Sequence, residues 1–316
     1  ILKDSGVSAP HNALLLVGNE TKDDAAVYDL GNGTALISTV DFFMPIVDDA
    51  FQYGQIAAAN ALSDVYAMGG NPFLAIAVLG WPAEKIPAHI AREVIRGAKE
   101  KCAEAGVNLA GGHTIDSPEP FFGLSVNGLV PIKNLKRNAT AQEGDLLYIT
   151  KPIGTGVLST ALKRSLIGEG EMQEAIKYMS TLNVAGSELG KHEFVHALTD
   201  VTGFGLIGHL IEMCEGVGLS AEIEYAKVPL MQGVKDLTAK FVYADNTMRN
   251  WKSYEGKVQG IGSESLLTLC DPQTSGGLLV AVAGNKKEVF EDLCRQTGVN
   301  AILFGKMQSK GTKAIN

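Results

Sequence analysis

The chain has 316 residues, 46% of them hydrophobic, and a formal net charge of −8 from 27 basic and 35 acidic side chains. That length exceeds what one hydrophobic core usually serves, so two domains are expected, and the composition is too apolar for a disordered chain. The acidic balance argues against nucleic acid or an anionic membrane surface as the main partner; no apolar run reaches a membrane span, and no basic segment leads into an apolar one as in a secretion signal.

Along the chain, Ala25–Leu30 and Thr34–Val40 have strand character, and Gly31-Asn32-Gly33 between them predicts a hairpin turn. An Ala-rich helix fits Tyr53–Met68, closed by Gly69-Gly70. A buried strand over Phe73–Leu79 precedes an amphipathic helix over Ala88–Ala105, opened by Pro87 and stopped by Gly106. Strands follow at Val107–Ala110 and Phe121–Val130. The polar stretch Lys133–Gly144 predicts a boundary, giving domains 1–143 and 144–316.

The second half restarts with a strand at Leu146–Thr150 and a helix at Gly156–Arg164, with helical stretches near Glu171–Leu189 and Leu206–Cys214. Tyr243–Gly262 reads as an irregular surface loop. Late strands fit Leu266–Cys270, Leu278–Ala283 and Ala301–Gly305, with a helix over Lys286–Gln296. The pattern is that of two α/β or α+β domains. Cys102, Cys214, Cys270 and Cys294 are far apart and lack metal-site spacing, so reduced thiols in the cytosol are expected.

An acidic protein that binds a phosphorylated ligand needs cations to mediate, and a few acids are placed to hold them. Asp24, after Asp23, opens the first hairpin strand and Asp41 follows the second, so antiparallel pairing predicts that Asp24 and Asp41 are neighbours. Two carboxylates that close repel unless a proton or a metal lies between them. Asp64 shares a helix face with Asn60, four residues earlier. Each acid alone could be a turn, a strand end or a solvated helix face. Together, hard oxygen ligands without Cys or His suit Mg²⁺, which leaves positions open for phosphate.

A further acid, Asp200, precedes Gly203, Gly205 and Gly208, which match G-x-G-x-x-G. A dinucleotide fingerprint needs a preceding strand, and this stretch reads as a poor one; Asp200 would also repel a pyrophosphate. A Gly-rich turn feeding a helix, with Asp200 on a metal, fits better. Gly111-Gly112-His113-Thr114 and Thr274-Ser275-Gly276-Gly277 could expose backbone N–H groups to an anion, and for the second a plain turn is favoured.

Six segments carry a resemblance: Leu15–Tyr28 (LLVGNETKDDAAVY), Ser38–Asp48 (STVDFFMPIVD), Tyr53–Gly70 (YGQIAAANALSDVYAMGG), Leu109–Asp116 (LAGGHTID), Thr199–Leu210 (TDVTGFGLIGHL) and Leu269–Leu279 (LCDPQTSGGLL). Across nearly the whole chain they resemble the selenophosphate synthetase family, within the aminoimidazole ribonucleotide synthetase-like superfamily. The resemblance implies a two-domain fold whose first domains join across a homodimer into a barrel. It also implies ATP in a groove near that interface, and ATP, selenide and water giving selenophosphate, AMP and phosphate.

Carried over by position, Asp24, Asp64 and Asp200 match the family's Mg²⁺ ligands. Thr21, Lys22, Asp23, Asp41 and Asp64 match its ATP site, with Gly112, His113 and Thr114 reaching ATP from the partner. The family's catalytic Cys or selenocysteine and its Lys are expected ahead of Ile1, so the residues given are expected to bind Mg²⁺-ATP without completing turnover. A sibling kinase releasing ADP and a nucleotide-responsive binding protein are the competing readings.

Overall fold

The computed structural model describes residues 12–18 and 22–316. Its first half is built on a six-stranded sheet in the order β1-β2-β3-β6-β4-β5. The strands are β1 (Leu15–Val17), β2 (Ala26–Asp29), β3 (Thr34–Phe43), β4 (Asn71–Trp81), β5 (Asn108–Asp116) and β6 (Phe121–Pro131). The β2–β3 hairpin forms as expected, with Ala26 opposite Ser38 and Asp29 opposite Ala35. Gly31 and Gly33 both take positive φ in its turn, and the Asp29 carboxylate accepts the Gly31 N–H at 2.8 Å.

Helices α1 (Ala50–Ala67) and α2 (Ala88–Glu104) cover one face of this sheet. Asp49 caps α1 by accepting the Gln52 N–H at 2.7 Å. The two helices cross closely because Gly54 and Gly97 leave room: a Cβ on Gly97 would overlap the Phe51 carbonyl, and one on Gly54 the Val94 carbonyl. Gly97→Ala should therefore cost about 1–3 kcal/mol by overpacking, read as a lower urea midpoint with unchanged slope.

The second half holds a five-stranded antiparallel sheet in the order β8-β10-β7-β11-β9. These strands are β7 (Leu146–Ile149), β8 (Val195–Asp200), β9 (Ser220–Ile223), β10 (Leu278–Val282) and β11 (Ile302–Gln308). Its helices are α3 (Thr155–Lys163), α4 (Glu169–Ser180), α5 (Ala185–Leu189), α6 (Gly205–Val217), α7 (Val234–Ala239), α8 (Asp245–Tyr254), α9 (Ser263–Leu269) and α10 (Lys287–Thr297). Strand β10 is buried throughout. Leu279 and Ala281 pack with α6, while Leu278, Val280 and Val282 pack with Phe290 and Cys294 of α10.

Helix α1 is buried nearly all round because it lies between the halves, touching β3, β6 and α2 on one side and α4, α5 and β8 on the other. That explains its run of Ala and Ser: small side chains admit backbone on every face.

Several sequence expectations are corrected. Leu266–Cys270, read as a strand, lies mostly in α9, and Tyr243–Gly262, read as a loop, contains α8. Glu171–Leu189 is two helices, α4 and α5, rather than one stretch. Gly111–Thr114 is not a turn after a strand but the middle of β5, at the sheet edge. Gly112 is needed there because a Cβ would meet the Ala77 carbonyl of β4.

Candidate functional site

A cavity of about 500 Å³ lies where the two halves meet, lined by Asp23, Asp24, Asp64 and Asp200 with Lys22 and Glu212 among its other walls. Asp24 enters from the segment before β2, Asp64 from α1, and Asp200 from the end of β8, where it pairs with Leu278 of β10. The chain thus gathers acids separated by over a hundred residues. Thr21 lies outside the described residues.

Each acid has a fixed partner on one side. Thr39 of β3 donates its hydroxyl to Asp64 Oδ2 at 2.5 Å, and Thr199 donates to Asp24 Oδ1 at 2.7 Å. Asn60 donates to Asp41 Oδ2 and accepts the Ser275 N–H at 2.7 Å through its own carbonyl oxygen. Asp23 accepts the Asn138 N–H at 2.9 Å, tying it to the segment that joins the halves.

Asp24 Oδ2 and Asp200 Oδ2 are buried with no hydrogen-bond partner among the described residues. Leaving a buried carboxylate oxygen unsatisfied is costly. The titration of the cluster records that cost. Burial first, then the neighbouring Asp200 charge, raises both Asp24 and Asp64 well above the usual carboxylate range. Burial raises Asp200 to about 6 against a lowering hydrogen bond from Ser63. Asp41 is raised by burial and held down by Asn60.

The expected neighbour pairing is modified. Asp24 feels chiefly Asp200, then Asp23 and Glu212, whereas the charge of Asp41 is felt by Asp64 and Asp200. Asn60, expected beside Asp64, instead bonds Asp41. Among the described residues no three His, Cys, Asp or Glu side chains already stand at the spacing of a closed metal shell. Asp23, Asp24, Asp64 and Asp200 share a cavity without forming a finished cage, and Asp41 stands outside its lining while its charge reaches Asp64 and Asp200.

The glycine motif is resolved by the same geometry. Val195–Asp200 is a strand after all, contrary to the reading from sequence, but it pairs antiparallel with β10, whereas a dinucleotide turn belongs to a parallel βαβ unit. Gly205 has positive φ and lies against the Leu269 and Asp271 carbonyls, and Gly208 lies against Tyr254. These glycines serve close packing of α6 on its neighbours.

Gly112, His113 and Thr114 do not line the acid cavity. They border a separate pocket of about 360 Å³ with Lys99 and Ile95, on the edge strand β5. Their face of the chain is exposed.

Four site residues carry no sequence signal strong enough to find them. The Thr202 N–H donates to His209 Nε2 at 3.1 Å, and burial pushes His209 down to about 4, so it is a neutral acceptor. Glu212, one turn on, pairs with Lys22 at 3.4 Å. Lys151 is buried, which pushes its ammonium down to about 7 against the opposing charge of Asp200. Ser63, beside Asp64 on α1, accepts the Asn183 side-chain N–H at 2.8 Å.

Residues 22–130 match the AIR synthase related protein, N-terminal domain, and residues 142–315 match the AIR synthase related protein, C-terminal domain. The selenide, water dikinase of Colwellia psychrerythraea is 50% identical over 316 residues, covering 100% of this chain and 92% of the relative. The chain belongs to the selenide, water dikinase family. The enzyme of that name from Haemophilus influenzae is 50% identical over 301 residues, 95% of this chain and 87% of the relative. Among solved structures, thiamine-monophosphate kinase from Stenotrophomonas maltophilia superposes with a TM-score of 0.72 at 18% identity, covering 97% of this chain and 92% of the other. That likeness speaks to the fold: a two-domain α/β architecture of the aminoimidazole ribonucleotide synthetase-like kind.

Proposed function

We propose that this enzyme makes selenophosphate from ATP, selenide and water, releasing AMP and phosphate. The reading is carried by 50% identity over 316 residues to the selenide, water dikinase of Colwellia psychrerythraea, with acids of both halves lining one cavity. Release of AMP requires that both outer phosphoryl groups leave the nucleotide. One ends on selenium and the other on water.

Asp24, Asp64 and Asp200 are the residues that would hold Mg²⁺. Their oxygen donors are hard, and two buried oxygens lack a partner among the described residues, which is the condition a cation relieves. When bound, Mg²⁺ supplies charge neutralisation for a triphosphate in an otherwise acidic cavity. The rest falls to the chain's own groups. Thr39 and Thr199 each hold one carboxylate oxygen and leave the other directed elsewhere. Lys22, Asp23, Asp41 and Asp64 would border the nucleotide. Burial of Asp200 and the apolar environment of α1 strengthen each charge–charge interaction there.

The domain division assigned is 1–143 and 144–316, in keeping with family matches that end at 130 and resume at 142. A cytosolic setting agrees with four buried free cysteines. Among the described residues no helix is long and apolar enough to cross a membrane.

The active form proposed is a homodimer. The face of the first sheet away from α1 and α2 exposes Val40, Phe42, Phe73, Ile76 and Leu129, and both β1 and β5 have a free edge among the described residues. A partner copy would cover that face, close the sheets into a barrel and bring its Gly112, His113 and Thr114 toward ATP. Sedimentation at micromolar concentration should give a dimer, and Phe42→Asp should shift it to monomer; a wild-type monomer under those conditions would refute the assembly. The activity itself is tested by following ATP consumption with and without selenide. Consumption should depend on selenide, and a rate indifferent to it would contradict the assignment.

A further inference from the structure

Lys151 follows β7 and is only 5% exposed, a rare state for lysine unless its ammonium is fully engaged. Its Nζ donates to the Thr181 carbonyl at 2.7 Å and to the Ser275 carbonyl at 2.9 Å. Neither acceptor is a carboxylate, so the lysine is tying two backbone segments together. Both segments lead to the acid cavity.

The first runs through Ser275. Its N–H donates to Asn60 Oδ1 at 2.7 Å, which fixes the orientation of that amide and leaves Asn60 Nδ2 to donate to Asp41. The second runs from Thr181 to Asn183, two residues on. Asn183 Nδ2 donates to Ser63 Oγ and to the Gly276 carbonyl, each at 2.8 Å. Asn183 thereby holds Ser63, the residue next to Asp64 on α1.

The loop between these anchors is held under local cost. Ser275 has φ of +47°, and its Oγ is buried without a partner among the described residues. Gly276 and Gly277 are each pressed on backbone, the first by the Val201 carbonyl and the second by Lys151 itself, so no larger residue fits. Such a conformation persists only where its surroundings over-determine it, and Lys151 is the group that bonds both sides.

We propose that Lys151 is a positioning residue for the nucleotide-site acids, its ammonium pinning Ser275 and Thr181 so that Asn60 orients Asp41 and Asn183 holds Ser63 beside Asp64. This rests on the reading that those acids serve the nucleotide.

The experiment compares Mg²⁺-ATP affinity in wild type, Lys151→Met, Asn60→Ala and the double variant, with near-UV circular dichroism to confirm folding. Lys151→Met should weaken ATP binding about tenfold or more, the scale of losing hydrogen bonds from a charged donor. The double variant should lose no more than the weaker-binding single variant, because both changes break one chain. Additive losses, or unchanged affinity in folded Lys151→Met, would overturn the proposal. Amide exchange at Ser275 in nucleotide-free wild type is the second measurement, and it needs no variant to fold. Slow exchange is expected, and exchange as fast as at an open loop would also overturn it. If wild type binds no ATP while Ser275 stays protected, the nucleotide reading fails and the clamp stands.

Discussion

Asp64→Asn should abolish Mg²⁺-dependent ATP binding while making the metal-free protein more stable at pH 8. The two effects have one cause. Asp64 is raised first by burial, then by the charges of Asp200, Asp24 and Asp41, so at pH 8 the folded state carries repulsion that the unfolded chain does not. Asparagine keeps the shape and an oxygen to accept the Thr39 hydroxyl, and removes one of the repelling charges. A gain in metal-free stability is expected, read as a higher urea midpoint with unchanged slope. The same charge is what a cation would need, so nucleotide affinity should fall by about a hundredfold or more. Calorimetry that finds unchanged affinity would return Asp64 to a structural role.

In the metal-free protein, stability should fall as pH rises from about 4 to about 7, and Mg²⁺ should reverse much of that loss. Asp200 at about 6 and Asp271 at about 7 bind protons more tightly folded than unfolded, as do Asp24 and Asp64. For such raised groups the stability is fully present below the ordinary carboxylate range and is lost as pH climbs through the folded pKa. Asp200 alone accounts for about 3 kcal/mol on this reckoning. His209, lowered to about 4, acts in the opposite direction over the same range, and the carboxyls outnumber it. Lys151, lowered to about 7, acts only at higher pH, where stability recovers.

A cation bound to the folded state alone at a hundredfold over its Kd adds about 2.7 kcal/mol. Saturating MgCl₂ should therefore raise the Tm clearly at pH 8 and little at pH 5. Equal Tm values with and without Mg²⁺ at pH 8 would remove the cavity as a cation site.

Much of this was legible in the sequence where the signal is local. Gly31-Asn32-Gly33 dictates a turn by φ alone, and Asp24, Asp64 and Asp200 stand out because carboxylates beside apolar and small residues need a reason. Leu266–Cys270 misled because a short apolar run does not choose between strand and helix; Gly262 and Ser265 set the helix start through a side-chain bond at 2.9 Å. Helix α8 looked like a loop because Thr247 and Asn250, polar residues, are what it buries; Asn250 donates to the Gly203 and Cys270 carbonyls. The clamp around Lys151 has no local signature, since Ser275 and Asn60 are 215 residues apart in sequence. Only the folded topology brings a lysine after one strand, a strained serine before another and an asparagine on α1 into one chain of bonds.

The central claim is the double phosphoryl release, and ³¹P NMR of the products tests it most directly. The full-length protein would be incubated with ATP, Mg²⁺ and selenide without oxygen. AMP, phosphate and a new phosphorus–selenium resonance are expected in equal amounts. ADP as the nucleotide product would contradict it and make the protein a single-phosphoryl kinase on the same fold.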